Sequence, residues 1–185
     1  MSDYGPLKKI NVLIQAPPRT GKSTLIDRIC SMLNEKGYKV GGIVTPEIKE
    51  KNRRIGFWVL DLNTGNKKIL AHINIKSMLK VSKYGVDLDA FDELAFTAIN
   101  SAIDNCDLIV IDEIGKMELF SEKFQKVVEK GLNSSKPVVG TMGRINHPYV
   151  RLLKSRSDVK VLTPNRANME YVYQEICKLL GLRII

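Results

Sequence analysis

The run Ala16-Pro17-Pro18-Arg19-Thr20-Gly21-Lys22-Ser23 follows directly on the apolar stretch Ile10 to Ile14. A helical pattern comes next: Leu25, Ile29 and Met32/Leu33 share one side of Leu25 to Lys36, and Gly37 ends it. A strand, a tight loop and a helix are thereby fixed in order. The loop matches a glycine, four variable residues and Gly-Lys-Ser/Thr, except that Ala16 stands at the first glycine. In this pattern successive backbone N–H groups face phosphate oxygens and the lysine neutralises the outer phosphates. The helix N-terminus adds about half a positive charge and unpaired donors.

Strand and helix signals alternate through the rest of the chain. Strands are expected at Lys39 to Thr45, Leu108 to Ile111, Val138 to Thr141 and Val159 to Leu162. A hairpin is expected from Arg54 to Asp61 and Lys67 to Ala71, turning at Asn63 to Asn66. Leu88, Phe91, Leu94/Ala95, Ala98/Ile99 and Ala102 mark an amphipathic helix with Asp87 or Asp89 as its cap. Further helices are read from Ser121 to Gly131, His147 to Lys154 and Arg166 to Leu180. The alternation predicts an α/β fold in three layers, a mostly parallel doubly wound sheet with an edge β-hairpin, whose ligands lie at the carboxyl ends of its strands.

The run Leu108 to Ile111 is wholly apolar, as a strand buried on both faces requires, and it ends in Asp112-Glu113. An acidic residue there completes a phosphate site: Asp112 holds Mg2+ through water while Ser23 coordinates it. Glu113 is then placed to activate or orient a water beside the terminal phosphate, and Lys22 to stabilise the charge of the transferring group. Arg144, Arg151 and Arg156 are weaker candidates for a further cation. His147 before Pro148 reads as a turn residue, and His72, Met78 and Trp58 read as structural.

At 185 residues the chain is expected to form one domain, residues 1–185. Lys and Arg outnumber Asp and Glu by 29 to 20, a net charge of +9, which attracts polyanions. The basic runs Lys8-Lys9, Lys49 to Arg54, Lys67-Lys68 and Arg151 to Arg156 fall in different elements without interleaved aromatics, so they read as solvated surface and nucleic acid is not the favoured partner. Cys30, Cys106 and Cys177 are far apart and lack metal-ligand spacing; they read as buried free thiols in a reducing cytosol. Met1 to Lys9 has no hydrophobic leader core and no apolar run nears the roughly 20 residues of a membrane span, so a cytoplasmic location without membrane contact is expected.

With these residues in hand, the chain resembles the small P-loop nucleoside-triphosphatase family first known from thermophiles, the THEP type. The resemblance runs from Ile10 to about Leu180 and rests above all on Asp112-Glu113-Ile114-Gly115-Lys116-Met117-Glu118-Leu119-Phe120. Tyr84-Gly85-Val86, Phe91-Asp92-Glu93-Leu94-Ala95, Gly56-Phe57, Arg144 before His147-Pro148, and Thr163 with Asn165-Arg166 support it. It implies a RecA/AAA-like P-loop NTPase fold and Mg2+-dependent hydrolysis of ATP, GTP, CTP and UTP to diphosphate and phosphate. Carried onto this chain, the nucleotide-binding segments are Ala16, Pro17, Pro18, Arg19, Thr20, Gly21, Lys22, Ser23 and Thr24, and Leu108, Ile109, Val110, Ile111, Asp112, Glu113, Ile114 and Gly115. Of the second segment only Asp112 to Gly115 is expected to approach ligand. Arg144 and Arg166 are accessory candidates. The family usually has glycine where Ala16 and Arg19 stand.

Two other readings stay open from sequence alone. A small-molecule or nucleoside kinase also hydrolyses slowly when its acceptor is absent. A nucleotide-gated RNA-binding module fits the basic balance, although Asn66-Lys67-Lys68-Ile69 lacks the aspartate of a guanine signature.

Overall fold

The computed structural model describes residues 5–182; the first four residues of the expected leaderless N-terminus lie outside it. Strand β1 (Asn11–Gln15) is entirely buried, and its alternate side chains enter two different cores. Val12 and Ile14 pack against α1 (Lys22–Glu35) and α5 (Met169–Leu179) through Leu25, Ile29, Val172 and Ile176. Leu13 faces the other way, toward α2 (Leu88–Asn105), α3 (Glu122–Asn133) and α4 (Pro148–Ser155) through Phe91, Phe124 and Leu153. Period-two alternation in a continuous apolar strand thus produces helix, sheet and helix layers.

The parallel part of the sheet has the order β10 (Val159–Leu162), β1, β9 (Val138–Met142), β8 (Leu108–Ile114) and β2 (Val40–Val44). β9 therefore stands between the strand that carries the loop and the strand that carries the acidic pair. The expected hairpin, β4 (Arg53–Asp61) with β5 (Lys67–His72), continues the sheet antiparallel beyond β2. It is longer than a hairpin: β3 (Glu47–Glu50) pairs β4, and β7 (Tyr84–Val86) and β6 (Lys80–Val81) extend β5.

Several boundaries move for identifiable reasons. Helix α1 begins at Lys22 rather than Leu25, because Gly21 at φ +101° turns the chain into the helix and puts Lys22 and Ser23 in its first turn. Helix α5 begins at Met169, not Arg166. Asn165 and Asn168 close a turn before it, each side chain accepting a backbone N–H of the other, which holds Arg166 outside the helix. Strand β8 continues to Ile114, three residues beyond the apolar run. Asp87 and Ser121 cap α2 and α3, accepting from the N–H groups of Ala90 and Phe124.

Trp58 lies under the Lys67 ammonium, 4.6 Å from its ring, and His72 Nδ1 accepts from the Asn74 N–H. Met78 is no part of any core; it is 100% exposed between β5 and β6. Cys106 and Cys177 are buried free thiols, whereas Cys30 is only half-buried, its thiol pushed up to about 12 chiefly by desolvation. No helix among the described residues is long and apolar enough to cross a membrane.

Candidate active site

The loop after β1 starts from a buried anchor. Ala16 is 1% exposed and closes the strand, so its methyl group sits in the core rather than in the loop's mouth. Pro17, Pro18 and Arg19 are exposed, and the Thr20 hydroxyl donates to the Pro17 carbonyl at 2.6 Å. Arg19 has φ +60°, the left-handed region that a glycine adopts freely and an L side chain at a cost of about 1–2 kcal/mol. This backbone shape explains why glycine is usual at that position. Lys22 is nearly buried and its ammonium donates to the carbonyls of Ala16 and Pro17 at 2.9 and 3.0 Å, spanning the loop from below. Ser23 and Thr24 stand exposed at the start of α1.

The acidic pair faces this loop because β8 slips register against β9 between Ile111 and Ile114. Such bulges re-aim side chains at strand ends. The backbone carbonyl of Asp112 accepts from Thr45 at 3.1 Å; its carboxyl, on a residue 5% exposed, accepts from the Thr141 hydroxyl of β9 and is favoured in its charged form by the Ser23 hydroxyl of α1. Burial pushes the Asp112 carboxyl above its ordinary range, opposed by those two hydroxyls and by Lys22. Burial likewise raises Glu113; the Lys22 charge opposes it and Asp112 reinforces it. Leu108 to Ile111 and Ile114 are 0% exposed. Their side chains cannot meet a ligand, and their part is to fix Asp112 and Glu113 at the strand end.

A third carboxylate joins them. Glu118, in the 3-10 turn Glu118–Phe120, is buried and accepts from the Gly115 N–H at 3.1 Å. A Cβ on Gly115 would lie 2.8 Å from a Glu118 oxygen and 3.3 Å from a Glu113 oxygen, so only glycine lets both carboxylates crowd this turn. Burial, and then the Glu113 charge, push Glu118 up to about 8. Sequence reasoning assigned no role to Glu118; the available signal was one acid three residues after Gly115 among Met117, Leu119 and Phe120.

That shift fixes the sign of a pH effect. Between the ordinary glutamate value of 4.5 and about 8 the unfolded chain releases a proton that the folded chain retains, so stability falls as pH rises through this window. Glu118→Gln keeps an acceptor for Gly115 and has no proton to lose. The variant is expected to melt like the parent near pH 4.5 and above it at pH 8.5, by a difference on the order of a few kcal/mol. Thermal melts at both pH values check this, and parallel curves would refute it.

The arginine candidates separate. Arg144 directly follows Gly143, whose Cβ would lie 3.5 Å from a Glu113 oxygen, and it lines a cleft with Lys116, Phe120 and His147. Arg166 is exposed in the turn before α5, whose first residue, Met169, reaches to 3.6 Å from the Gly21 Cβ position. Arg151 donates to Asn146. Arg156 is bound to Asp158 and Asn133, and Asp158 also accepts from Asn11 at the start of β1, the opposite end of the sheet from the loop. Arg156 is thereby removed from the site. His147 caps α4, accepting from the Tyr149 N–H at 3.1 Å.

The family model described as NTPase matches residues 11–177. The nucleoside-triphosphatase THEP1 of Thermotoga sp. is 39% identical over 171 residues, 92% of this chain and 95% of that protein. Its counterpart from Methanocaldococcus jannaschii is 36% identical, covering 94% of this chain and 100% of its own length. Among solved structures, the crystal structure of THEP1 from Aquifex aeolicus aligns with a TM-score of 0.82 at 31% identity, over 92% of this chain and 99% of that one. The solution structure of a human cancer-related nucleoside triphosphatase aligns with a TM-score of 0.79, also at 31% identity, over 95% and 100%. With a phosphate loop and an acidic strand end facing each other on this fold, the chain belongs to the THEP1 nucleoside-triphosphatase family.

Proposed function

We propose that this chain is a Mg2+-dependent enzyme that hydrolyses nucleoside triphosphates to the diphosphate and phosphate. The observation that carries the reading is the convergence of the Ser23 hydroxyl and the Lys22 charge from the loop side on the buried Asp112 carboxyl, with Glu113 beside it. The donor set fits Mg2+. That ion takes one or two protein oxygens together with water and phosphate, and among the described residues no group of three or more His, Cys, Asp or Glu forms a self-sufficient metal cage. Ser23 and Asp112 would hold it, and when bound it would neutralise charge on the outer phosphates.

The chain's own residues supply the rest. The N–H groups of Arg19 to Ser23 grip phosphate oxygens at the N-terminus of α1. Lys22 exchanges the carbonyls of Ala16 and Pro17 for phosphate and keeps its charge against the transferring group. Glu113 accepts the proton of the attacking water, and Thr141 keeps Asp112 oriented.

Backbone donors read phosphates and not bases, so ATP, GTP, CTP and UTP are all substrates. Steady-state release of phosphate from each is expected to agree within about tenfold, since no base-reading group enters the reading. A chelator should abolish all four activities. Undiminished turnover under chelation refutes the metal, and one nucleotide preferred by more than about a hundredfold refutes the broad range.

A further inference from the structure

The basic runs that sequence scatters among separate elements are partly gathered by the fold. Arg19 from the loop, Lys49, Arg53 and Arg54 from β3 and β4, and Lys83 from the β6–β7 turn surround one cleft of about 790 Å3. Its one acid, Glu47, is already committed to Lys49 at 3.1 Å and Arg54 at 2.7 Å. Among the described residues Arg19, Arg53 and Lys83 have no carboxylate partner. Like charges converge there in excess of the one counter-charge that Glu47 supplies, which raises the local concentration of anions.

The walls are built rather than incidental. Of the non-glycine residues with positive φ, Arg19, Asn52 and Ser82 all line this cleft, a concentration of backbone strain of the kind found at ligand sites. The Arg54 guanidinium lies 5.1 Å from the Phe57 ring and 5.7 Å from the Tyr84 ring, and the rings meet edge-on at 5.3 Å. The volume is that of a small-molecule site. Tyr84 is buried and its hydroxyl accepts from Arg54 at 3.1 Å, and Phe57 packs against both, so these two aromatics are engaged with each other and with Arg54 rather than set out as a row of stacking platforms, which disfavours a nucleic-acid strand. Arg19 is shared with the phosphate loop, and Met117 lies between Gly115 and Glu118, so the cleft adjoins the candidate site.

We propose that this cleft binds a second, phosphate-bearing small molecule beside the nucleotide. Binding there does not depend on the hydrolytic reading, and the two fail separately. Calorimetric titration of the full chain with inorganic pyrophosphate, adenosine monophosphate and ribose 5-phosphate tests it, each probe in its own arm. Pyrophosphate presents charge alone, and the other two distinguish a nucleotide from a sugar phosphate source. The unmodified chain should take two equivalents of at least one probe. Lys22→Ala should remove the loop equivalent and leave the cleft equivalent. The double variant Arg53→Glu/Lys83→Glu should do the reverse, with cleft affinity falling by about tenfold or more.

Both of those residues are exposed, and the surviving Lys22-dependent equivalent reports that the variant is folded. A double variant with the same charge change elsewhere, Lys126→Glu/Lys154→Glu, should keep both equivalents. The proposal is overturned if the Arg53/Lys83 variant binds like the parent, or if both double variants lose binding alike. It is also overturned if an oligouridylate binds through Arg53 and Lys83 while no small probe does, since the cleft would then serve an RNA strand.

Discussion

Glu113→Gln is expected to bind nucleotide within about threefold of the parent while turnover falls by about two orders of magnitude or more. Glutamine has nearly the same shape and stays uncharged, so whatever depends on packing beside Gly115 and Gly143 survives. What it lacks is a site for the proton of an attacking water. Burial already raises the Glu113 carboxyl, which brings its basicity nearer to neutral pH and suits a general base. Fluorescent-nucleotide titration gives the binding half and phosphate release the catalytic half. Turnover within about threefold of the parent would remove Glu113 from the proposed role, because a positioned base contributes far more than that. A fall in binding equal to the fall in rate would assign it to ground-state contact instead.

Lys22→Ala is expected to lower kcat/KM by about a thousandfold, with both KM and kcat affected. The lysine is nearly buried under the loop, so its charge is little screened by solvent in the proposed role. Its removal also leaves the carbonyls of Ala16 and Pro17 without their donor, a loss of about 1–2 kcal/mol in stability. Melting curves separate that structural part from the catalytic part. Lys22→Arg serves as the partner variant: it keeps the charge but not the compact ammonium and should recover binding more than rate. If Lys22→Ala hydrolyses nucleotide at near the parental kcat/KM, the loop is not the phosphate site.

Where a residue's role follows from its immediate neighbours in the chain, sequence reasoning located it. The buried strand β1, the loop, α1 and the emergence of Asp112-Glu113 from an apolar run are all of that kind. So are the caps Asp87 and Ser121, whereas His147, read as a turn residue, caps α4. Strand β3 was not legible: Glu47 to Glu50 is an exposed edge with one apolar residue, so no period-two signal exists to read. Strand β7 has only three residues, too few for any period. The register slip that turns Glu113 toward Gly143 belongs to a pairing between strands 24 or more residues apart and leaves no local trace. Glu118 stayed hidden because its neutral, buried state depends on Glu113 and on the surrounding core rather than on its chain neighbours. The shared cleft was not legible for the same reason: Arg19, Arg53 and Lys83 become neighbours only through the order of the strands.

The left-handed arginine of the phosphate loop has a consequence for motion as well as for strain. A glycine at position 19 would wander between both signs of φ whenever the site is empty, and each arrival of a nucleotide would have to freeze that wandering out. Arg19 has far fewer shapes to visit, and the loop already holds it in the rare one at φ +60°. Less disorder would then be lost on binding the proposed phosphate, while the strain itself is a cost carried by the fold in both the empty and the filled loop. On this view the departure from glycine makes a stiffer cradle, ready shaped before its ligand arrives.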